Sequence, residues 1–242
     1  EQIMQIKYEG LPLKTGTGLH DSSAALIPYL TSFKDPFILL STGTWCISLN
    51  PFNTNPLTED ELKKDVLCYL TYTGKPVKAS RLLLGPLYEH QVKRIASFYN
   101  QAVSRYHSMP FNAKWMDDLE YQQQPNLTSF SQTDMSGFKS DEEAYHHLMY
   151  DMALLQRDAI YLVLKNSPVK YLFVDGGFST NTLYMNMLTL LFPQLKVYAA
   201  SMPQGSALGA ALVIHDSWNS QPIPDNLITL KSFDKHEFAD AS

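Results

Sequence analysis

The sequence predicts an α/β domain with parallel strand pairing towards its end. Three observations carry that prediction. The last third alternates between helical stretches and apolar runs: a capped helix reaching about residue 166, the run Tyr171-Leu172-Phe173-Val174, a helix over 181–192, a strand over 195–199 and a small-residue helix over 205–218. Strands separated by helices in this way pair in parallel. Further upstream, Phe37-Ile38-Leu39-Leu40 and Trp45-Cys46-Ile47-Ser48-Leu49 are strand formers on either side of Ser41-Thr42-Gly43-Thr44, the pattern of a β-hairpin. Finally, Val174 runs through Asp175-Gly176-Gly177 into the helix that begins near Asn181. Glycines there let backbone N–H groups approach an anion, and the helix points its positive end at the same place. In isolation such a turn is more often a plain strand-to-helix connection.

Taken in order, Gly10, Gly16 and Gly18 surround Pro12 in an open first segment, and Leu19-His20-Asp21 then leads into an Ala-rich helix. Asp21 stands where loop becomes helix, which simple N-capping would explain. Asp35-Pro36 is a turn, and the hydroxyl-rich tip 41–44 is either a turn or a phosphate grip. Residues 57–107 read as mainly helical. Thr58-Glu59-Asp60-Glu61 has the form of a capping box, and 71–81, with Gly74 and Pro76, reads as a loop or short strand. A helix follows Gly85-Pro86, with Leu87, Gln91, Ile95, Phe98 and Ala102 at helical spacing. Residues 108–140, with Pro110, Gln122-Gln123-Gln124 and Pro125, read as an irregular surface excursion. Ser140-Asp141-Glu142-Glu143 caps the long helix. His146-His147 on it lacks the spacing of a metal pair and reads as a surface feature. In the last helix Ala207, Gly209, Ala210 and Ala211 suit either close helix packing or a flat wall for a planar ring such as adenine.

Composition narrows the function classes. A chain of 242 residues, 45% hydrophobic, can bury a substantial core. A net charge of -5 and a pI near 5.8 argue against general nucleic-acid binding, which needs a basic face. Cys46 and Cys68 have neither metal-ligand spacing nor the makings of a disulfide framework, so a reducing cytoplasm is the expected location. The sequence holds no apolar run near the roughly 20 residues that cross a bilayer, so no membrane partner is expected. The chain begins at Glu1 rather than Met, as a processed chain or a piece of a longer one would.

Four motifs then come together. Gly18-Leu19-His20-Asp21 with its Ala-rich helix, Ser41-Thr42-Gly43-Thr44-Trp45, Val174-Asp175-Gly176-Gly177 with Asn181, and Ala207-Leu208-Gly209-Ala210-Ala211 occur in the order and approximate spacing of the FGGY carbohydrate kinases. The chain resembles the C-terminal half of such a kinase from about residue 10 to 220, and the Gly43-Thr44-Trp45 form looks most like the rhamnulokinase and fuculokinase side of the family. The resemblance implies an actin/hexokinase-like ATPase domain with an RNase H-like core, the C-terminal domain of a two-domain sugar kinase. Such enzymes transfer the γ-phosphoryl group of ATP, with Mg2+, to a sugar hydroxyl. Residues 1–30 would be the end of the N-terminal kinase domain and its crossover, and 31–242 the nucleotide-binding domain. Asp21 matches the catalytic base, a role that suits a carboxylate because phosphoryl transfer needs positioning more than strong basicity. His20 beside it would face substrate. Gly43 and Thr44 match the γ-phosphate hairpin, Gly176 and Gly177 the nucleotide-phosphate turn, Asn181 a contact to adenosine, and Gly85 a further nucleotide-side glycine. A dedicated metal site is not expected from these residues.

Departures from the family pattern are Gln204 in place of an acidic residue before the last helix, and Asn186 and Leu190 where Gln and Asp are usual. The sugar is expected to be a ketose such as rhamnulose, fuculose or xylulose. Most of its contacts would lie in an N-terminal domain that the chain lacks, so the isolated chain is expected to fold with little or no kinase activity. A homodimer is allowed for. Two other classes compete: a non-catalytic nucleotide-binding module on the same fold, and a hydrolase using Asp21 and His20, whose side chains should point apart on an extended chain.

Overall fold

The computed structural model describes residues 4–16, 18–112, 114–115, 130–202 and 204–234. At its centre is a seven-stranded mixed sheet. Two strands, β1 (Met4–Tyr8) and β2 (Leu11–Thr15), form a separate antiparallel hairpin. The main sheet contains β3 (Phe37–Thr42), β4 (Cys46–Asn50), β5 (Val66–Leu70), β6 (Pro76–Leu82), β7 (Tyr171–Gly176), β8 (Lys196–Ser201) and β9 (Thr229–Phe233), in the order β5-β6-β4-β3-β7-β8-β9. Strands β3, β7 and β8 run parallel to one another and the remaining pairings are antiparallel. The expected α/β character and terminal parallel pairing are thus present.

The helices are α1 (Asp21–Ser32), α2 (Glu59–Lys63), α3 (Gly85–Phe98), α4 (Asp141–Leu164), α5 (Thr182–Leu191), α6 (Gly205–Val213) and α7 (His215–Trp218). They cover both faces of the sheet. Because side chains alternate along a strand, Ile38, Leu40, Leu172 and Val174 pack towards α3, α4 and α5, whereas Phe37, Leu39 and Phe173 pack towards α1. Two apolar cores result. In the second, Tyr29 is enclosed by the rings of Phe33, Phe37 and Phe173.

The local signals hold where they were strong. Ser140 caps α4 by accepting from the Glu143 amide at 3.1 Å, and Thr58 and Glu61 close a reciprocal capping box at 3.2 and 2.9 Å. Several expectations need correction. The helix of that box is a single turn, and 57–107 is not mainly helical: β5 and β6 form an antiparallel hairpin. Helix α3 starts two residues earlier than expected, at Gly85 with Pro86 inside its first turn, and ends at Phe98, so Ala102 lies beyond it and Phe98 is exposed. Residues 205–218 break into α6 and α7 at Ile214, and β9 adds an antiparallel edge strand beyond them. The excursion at 108–140 is not merely superficial, because Met109, Trp115, Phe130 and Met135 are buried; its Gln122-Gln123-Gln124-Pro125 stretch lies outside the described residues.

His146 is the clearest reversal. It is fully buried: Nε2 accepts from the Asn112 amide at 3.1 Å and Nδ1 donates to the Glu142 carbonyl at 2.8 Å. Burial holds its pKa below the usual imidazole value, with the Glu142 carbonyl opposing. Among the described residues no helix is long and apolar enough to cross a membrane.

Candidate active site

The parallel strands β3 and β7 end side by side, with Thr42 in register with Gly176. In an open α/β sheet, ligands bind beyond such carboxyl ends. Here the two ends are sewn together. The Thr42 hydroxyl donates to the Asp175 carbonyl at 2.6 Å and accepts from the Phe178 amide at 3.0 Å. Gly176 sits at φ 88, a conformation open to glycine, and a Cβ there would lie 2.0 Å from the Thr42 carbonyl oxygen. After it, Gly177–Thr180 forms a short 3-10 turn before α5, so the positive end of α5 is one turn removed from the glycines.

Asn181 proves to be the N-cap of α5. Its Oδ1 accepts from the Tyr184 amide at 3.0 Å, and its Nδ2 donates to the Tyr145 hydroxyl at 2.8 Å. Its side chain is therefore committed to structure, although the residue borders the cavity described next.

Two cavities flank the β3–β4 hairpin tip. One, of about 390 Å³, is lined by Gly43, Thr44, Gly85, Tyr88, Gly177 and Asn181 among others. The other, of about 340 Å³, is lined by His20, Asp21, Thr42, Gly43, Trp45 and Arg81 among others. Gly43 belongs to both, so the tip stands between Asp21 and the Gly176-Gly177 turn. Gly85 buttresses the tip: its amide donates to the Thr44 carbonyl at 3.1 Å, and a Cβ on it would come within 2.8 Å of the Gly43 carbonyl and Thr44 Cα.

Asp21 is the first residue of α1, and the N-cap is His20. The Asp21 side chain is 80% exposed and sits 2.9 Å from His20 Nδ1. These neighbours do not point apart as on an extended chain, because the chain turns into the helix between them. The Ser22 amide donates to Asp21 Oδ1 at 2.7 Å and lies 3.2 Å from His20 Nδ1. The His20 ring also packs on Tyr69, with centroids 5.0 Å apart.

The backbone at Asp21 is fixed from across the fold by helix α6. Ser206 Oγ donates to the Asp21 carbonyl at 3.1 Å. One turn on, Gly209 abuts Ala24, and a Cβ on Gly209 would fall 1.8 Å from the Ala24 carbonyl oxygen. That carbonyl lacks its usual helical donor, because Pro28, four residues on, has no N–H. Gly209 in the Gly/Ala stripe thus serves close helix packing rather than a ring-binding wall.

Residues that sequence reading did not single out complete the site. Arg81 lies over the Trp45 ring at 5.2 Å and is held by Asp65 through Nη2 at 2.7 Å and Nε at 3.2 Å. That pairing raises its pKa further, so a fixed positive charge faces the cavity of Asp21. Thr42 was visible only as part of a hydroxyl-rich tip. Among the described residues no group of three or more His, Cys, Asp or Glu could hold a metal ion.

A family model described as "Carbohydrate kinase FGGY, C-terminal domain" matches residues 34–222. A search of curated proteins finds no match. Among solved structures, a carbohydrate kinase from Novosphingobium aromaticivorans is similar at 20% identity and a TM-score of 0.62, over 93% of this chain and 48% of that one. A xylulose kinase from Rhodospirillum rubrum gives 16% identity and a TM-score of 0.61, over 96% and 50%. A Plasmodium falciparum glycerol kinase with ADP gives 14% and 0.55, over 89% and 46%. These likenesses show the actin/hexokinase-like ATPase fold, and the chain spans about half the length of the solved structures it matches. With most of its length covered by the family model, the chain belongs to the FGGY carbohydrate kinases, as their C-terminal domain.

Proposed function

We propose that the chain is the nucleotide-side part of an ATP-dependent carbohydrate kinase that phosphorylates a ketose such as rhamnulose, fuculose or xylulose, on the rhamnulokinase and fuculokinase side of the family. The observation that carries this reading is the position of the hairpin tip. Gly43 borders both the cavity with Asp21 and the cavity with Gly177, so a phosphoryl group held at Gly43 and Thr44 would have the acceptor on one side and the nucleotide on the other. Asp21 would take the proton of the attacking hydroxyl, and His20 and Arg81 would border the acceptor. Gly43, Thr44, Gly85 and Gly177 would surround the ATP phosphates, with Asn181 at the nucleoside end. A cavity of about 390 Å³ is of a size for a small-molecule ligand. Mg2+ is commonly held by one or two carboxylates together with substrate phosphates; Asp21 lines the cavity on one side of the tip and Glu89 the cavity on the other, so either would be within reach of a bound nucleotide's ion. The ion would neutralise charge on the transferring phosphoryl group.

The same reading assigns residues 1–30 to the end of a preceding domain and its crossover. In support, Met4, Ile6, Tyr8, Leu11 and Leu13 of the β1–β2 hairpin are exposed, and a lone two-stranded hairpin is marginally stable by itself. The large exposure of Asp21 also calls for a second surface to exclude water, so the chain alone should turn over little or no substrate.

The test has two arms. Isothermal titration of the chain with ADP and Mg2+ should show binding. In a protein joining the chain to its preceding domain, ketose-dependent ADP release should fall by about a hundredfold or more in Asp21→Asn with ADP affinity kept. Absent ADP binding, or turnover that needs no nucleotide, would refute the proposal. ADP binding with turnover indifferent to Asp21→Asn would favour a non-catalytic nucleotide-binding module.

A further inference from the structure

The Gly176-Gly177 turn is clamped on both sides of Gly177 by the side chains of Thr42 and Asp175. Downstream, the Phe178 amide donates to the Thr42 hydroxyl. Upstream, the Gly176 amide donates to Asp175 Oδ1 at 2.7 Å. The other Asp175 oxygen, Oδ2, accepts from the Tyr29 hydroxyl at 2.9 Å, across 146 residues of chain. Tyr29 is fully buried on α1, two turns after Asp21. One helix and one hydrogen bond therefore connect the residue on the Asp21 side to the turn on the Gly177 side.

We propose that Asp175, held by Tyr29, is a positioning residue for the nucleotide phosphates: it fixes the peptide before Gly177 and registers the phosphate turn against the helix that starts at Asp21. The inference rests on the kinase reading above. A carboxylate beside a phosphate site is at first sight unfavourable, since like charges repel. The geometry offsets this, because both carboxylate oxygens are engaged from the protein side, one by the Gly176 amide and one by the Tyr29 hydroxyl. Burial pushes the Asp175 carboxyl above the usual carboxylate range, with its two donors opposing. Burial also pushes the Tyr29 phenol far up, so Tyr29 remains a donor at every ordinary pH.

The two ends of this link are open to separate tests. Tyr29→Phe keeps the ring among Phe33, Phe37 and Phe173 and removes only the hydroxyl. Asp175→Ala removes both hydrogen bonds of the Asp175 carboxylate and leaves the Thr42 clamp, whereas Asp175→Asn keeps an acceptor for the Gly176 amide. Affinities of the 242-residue chain for ADP and for adenosine, which lacks phosphate, should be measured together with thermal melting. Tyr29→Phe should weaken ADP binding about three- to tenfold, the usual worth of one partly buried hydrogen bond, and leave adenosine unchanged. Asp175→Ala should weaken ADP more than Tyr29→Phe does, and Asp175→Asn should recover most of that loss.

A parallel loss of ADP and adenosine affinity would mark Asp175 as a general fold contact and overturn the proposal. So would ADP affinity equal to wild type in both Tyr29→Phe and Asp175→Ala. If the wild-type chain binds neither ligand, the kinase reading fails and this inference fails with it; wild-type binding that the variants leave unchanged removes this inference alone.

Discussion

Adding one methyl group at either glycine of the β7–α5 turn separates what the fold requires from what the site requires. In Gly176→Ala the new Cβ would sit 2.0 Å from the Thr42 carbonyl oxygen and 3.0 Å from its carbon, both backbone atoms of the neighbouring parallel strand. No side chain can move aside, so β7 must part from β3 by about 1 Å or more, which as overpacking costs roughly 1–3 kcal/mol. The φ of 88 adds strain for any residue with a Cβ, about 1–3 kcal/mol. Together the two effects amount to about 2–6 kcal/mol, and for a chain of this size each kcal/mol lowers Tm by about 2–4 °C. Gly177→Ala is the internal control: its Cβ meets nothing within 4 Å and its φ is ordinary, so stability should hold within about 0.5 kcal/mol. Thermal and urea denaturation of the two variants and wild type decides the matter. A Gly176→Ala protein as stable as wild type, or a Gly177→Ala protein equally destabilised, would show that this account of the turn is wrong.

Two further predictions concern the supports of the site. Gly209→Ala should destabilise by about 1–3 kcal/mol in urea, since its Cβ would fall 1.8 Å from the Ala24 carbonyl oxygen and force α6 off α1; equal stability would mean the helices slide apart freely. His146 gives a pH dependence. Its folded-state pKa lies below the unfolded value, so the unfolded chain binds more protons below about pH 6.5 and stability is lost as pH falls from there, at up to about 1.4 kcal/mol per unit. Glu142 is held below its ordinary value of 4.5 and stays ionised across this range, so the difference between the urea curves of wild type and His146→Gln at pH 7.5 and 5.5 reports the His146 proton. A constant difference would refute it.

Much of this could be read from the sequence because some signals are local. β3, β4 and β7 are short apolar runs bounded by turn residues, and α4 announces itself through Ser140 and three acids in its first turn. Asp21, Gly43, Thr44, Gly85, Gly177 and Asn181 all border one or other of the two cavities that meet at the tip. What escaped was non-local or ambiguous. The β5–β6 hairpin follows a charged turn and only half-buries its edge strand, so Val66–Leu70 shows no strong alternation. His146 was misread because α4 is buried around most of its circumference, and a polar residue there signals a satisfied core group rather than a solvated face. The roles of Thr42 and Tyr29 depend on partners 133 and 146 residues away, and no spacing rule reaches that far.

The shared border at Gly43 carries a consequence for how such a domain can diversify. With one peptide forming a wall of both chambers, an insertion or deletion in the β3–β4 connection would change the Asp21 side and the Gly177 side at once, whereas the larger chamber beside His20, bounded by Tyr69, Thr71 and Ile214, can be reshaped without touching the tip. On the kinase reading proposed above, changes in which acceptor fits should therefore accumulate along β5 and at the end of α6, leaving the length of the hairpin constant.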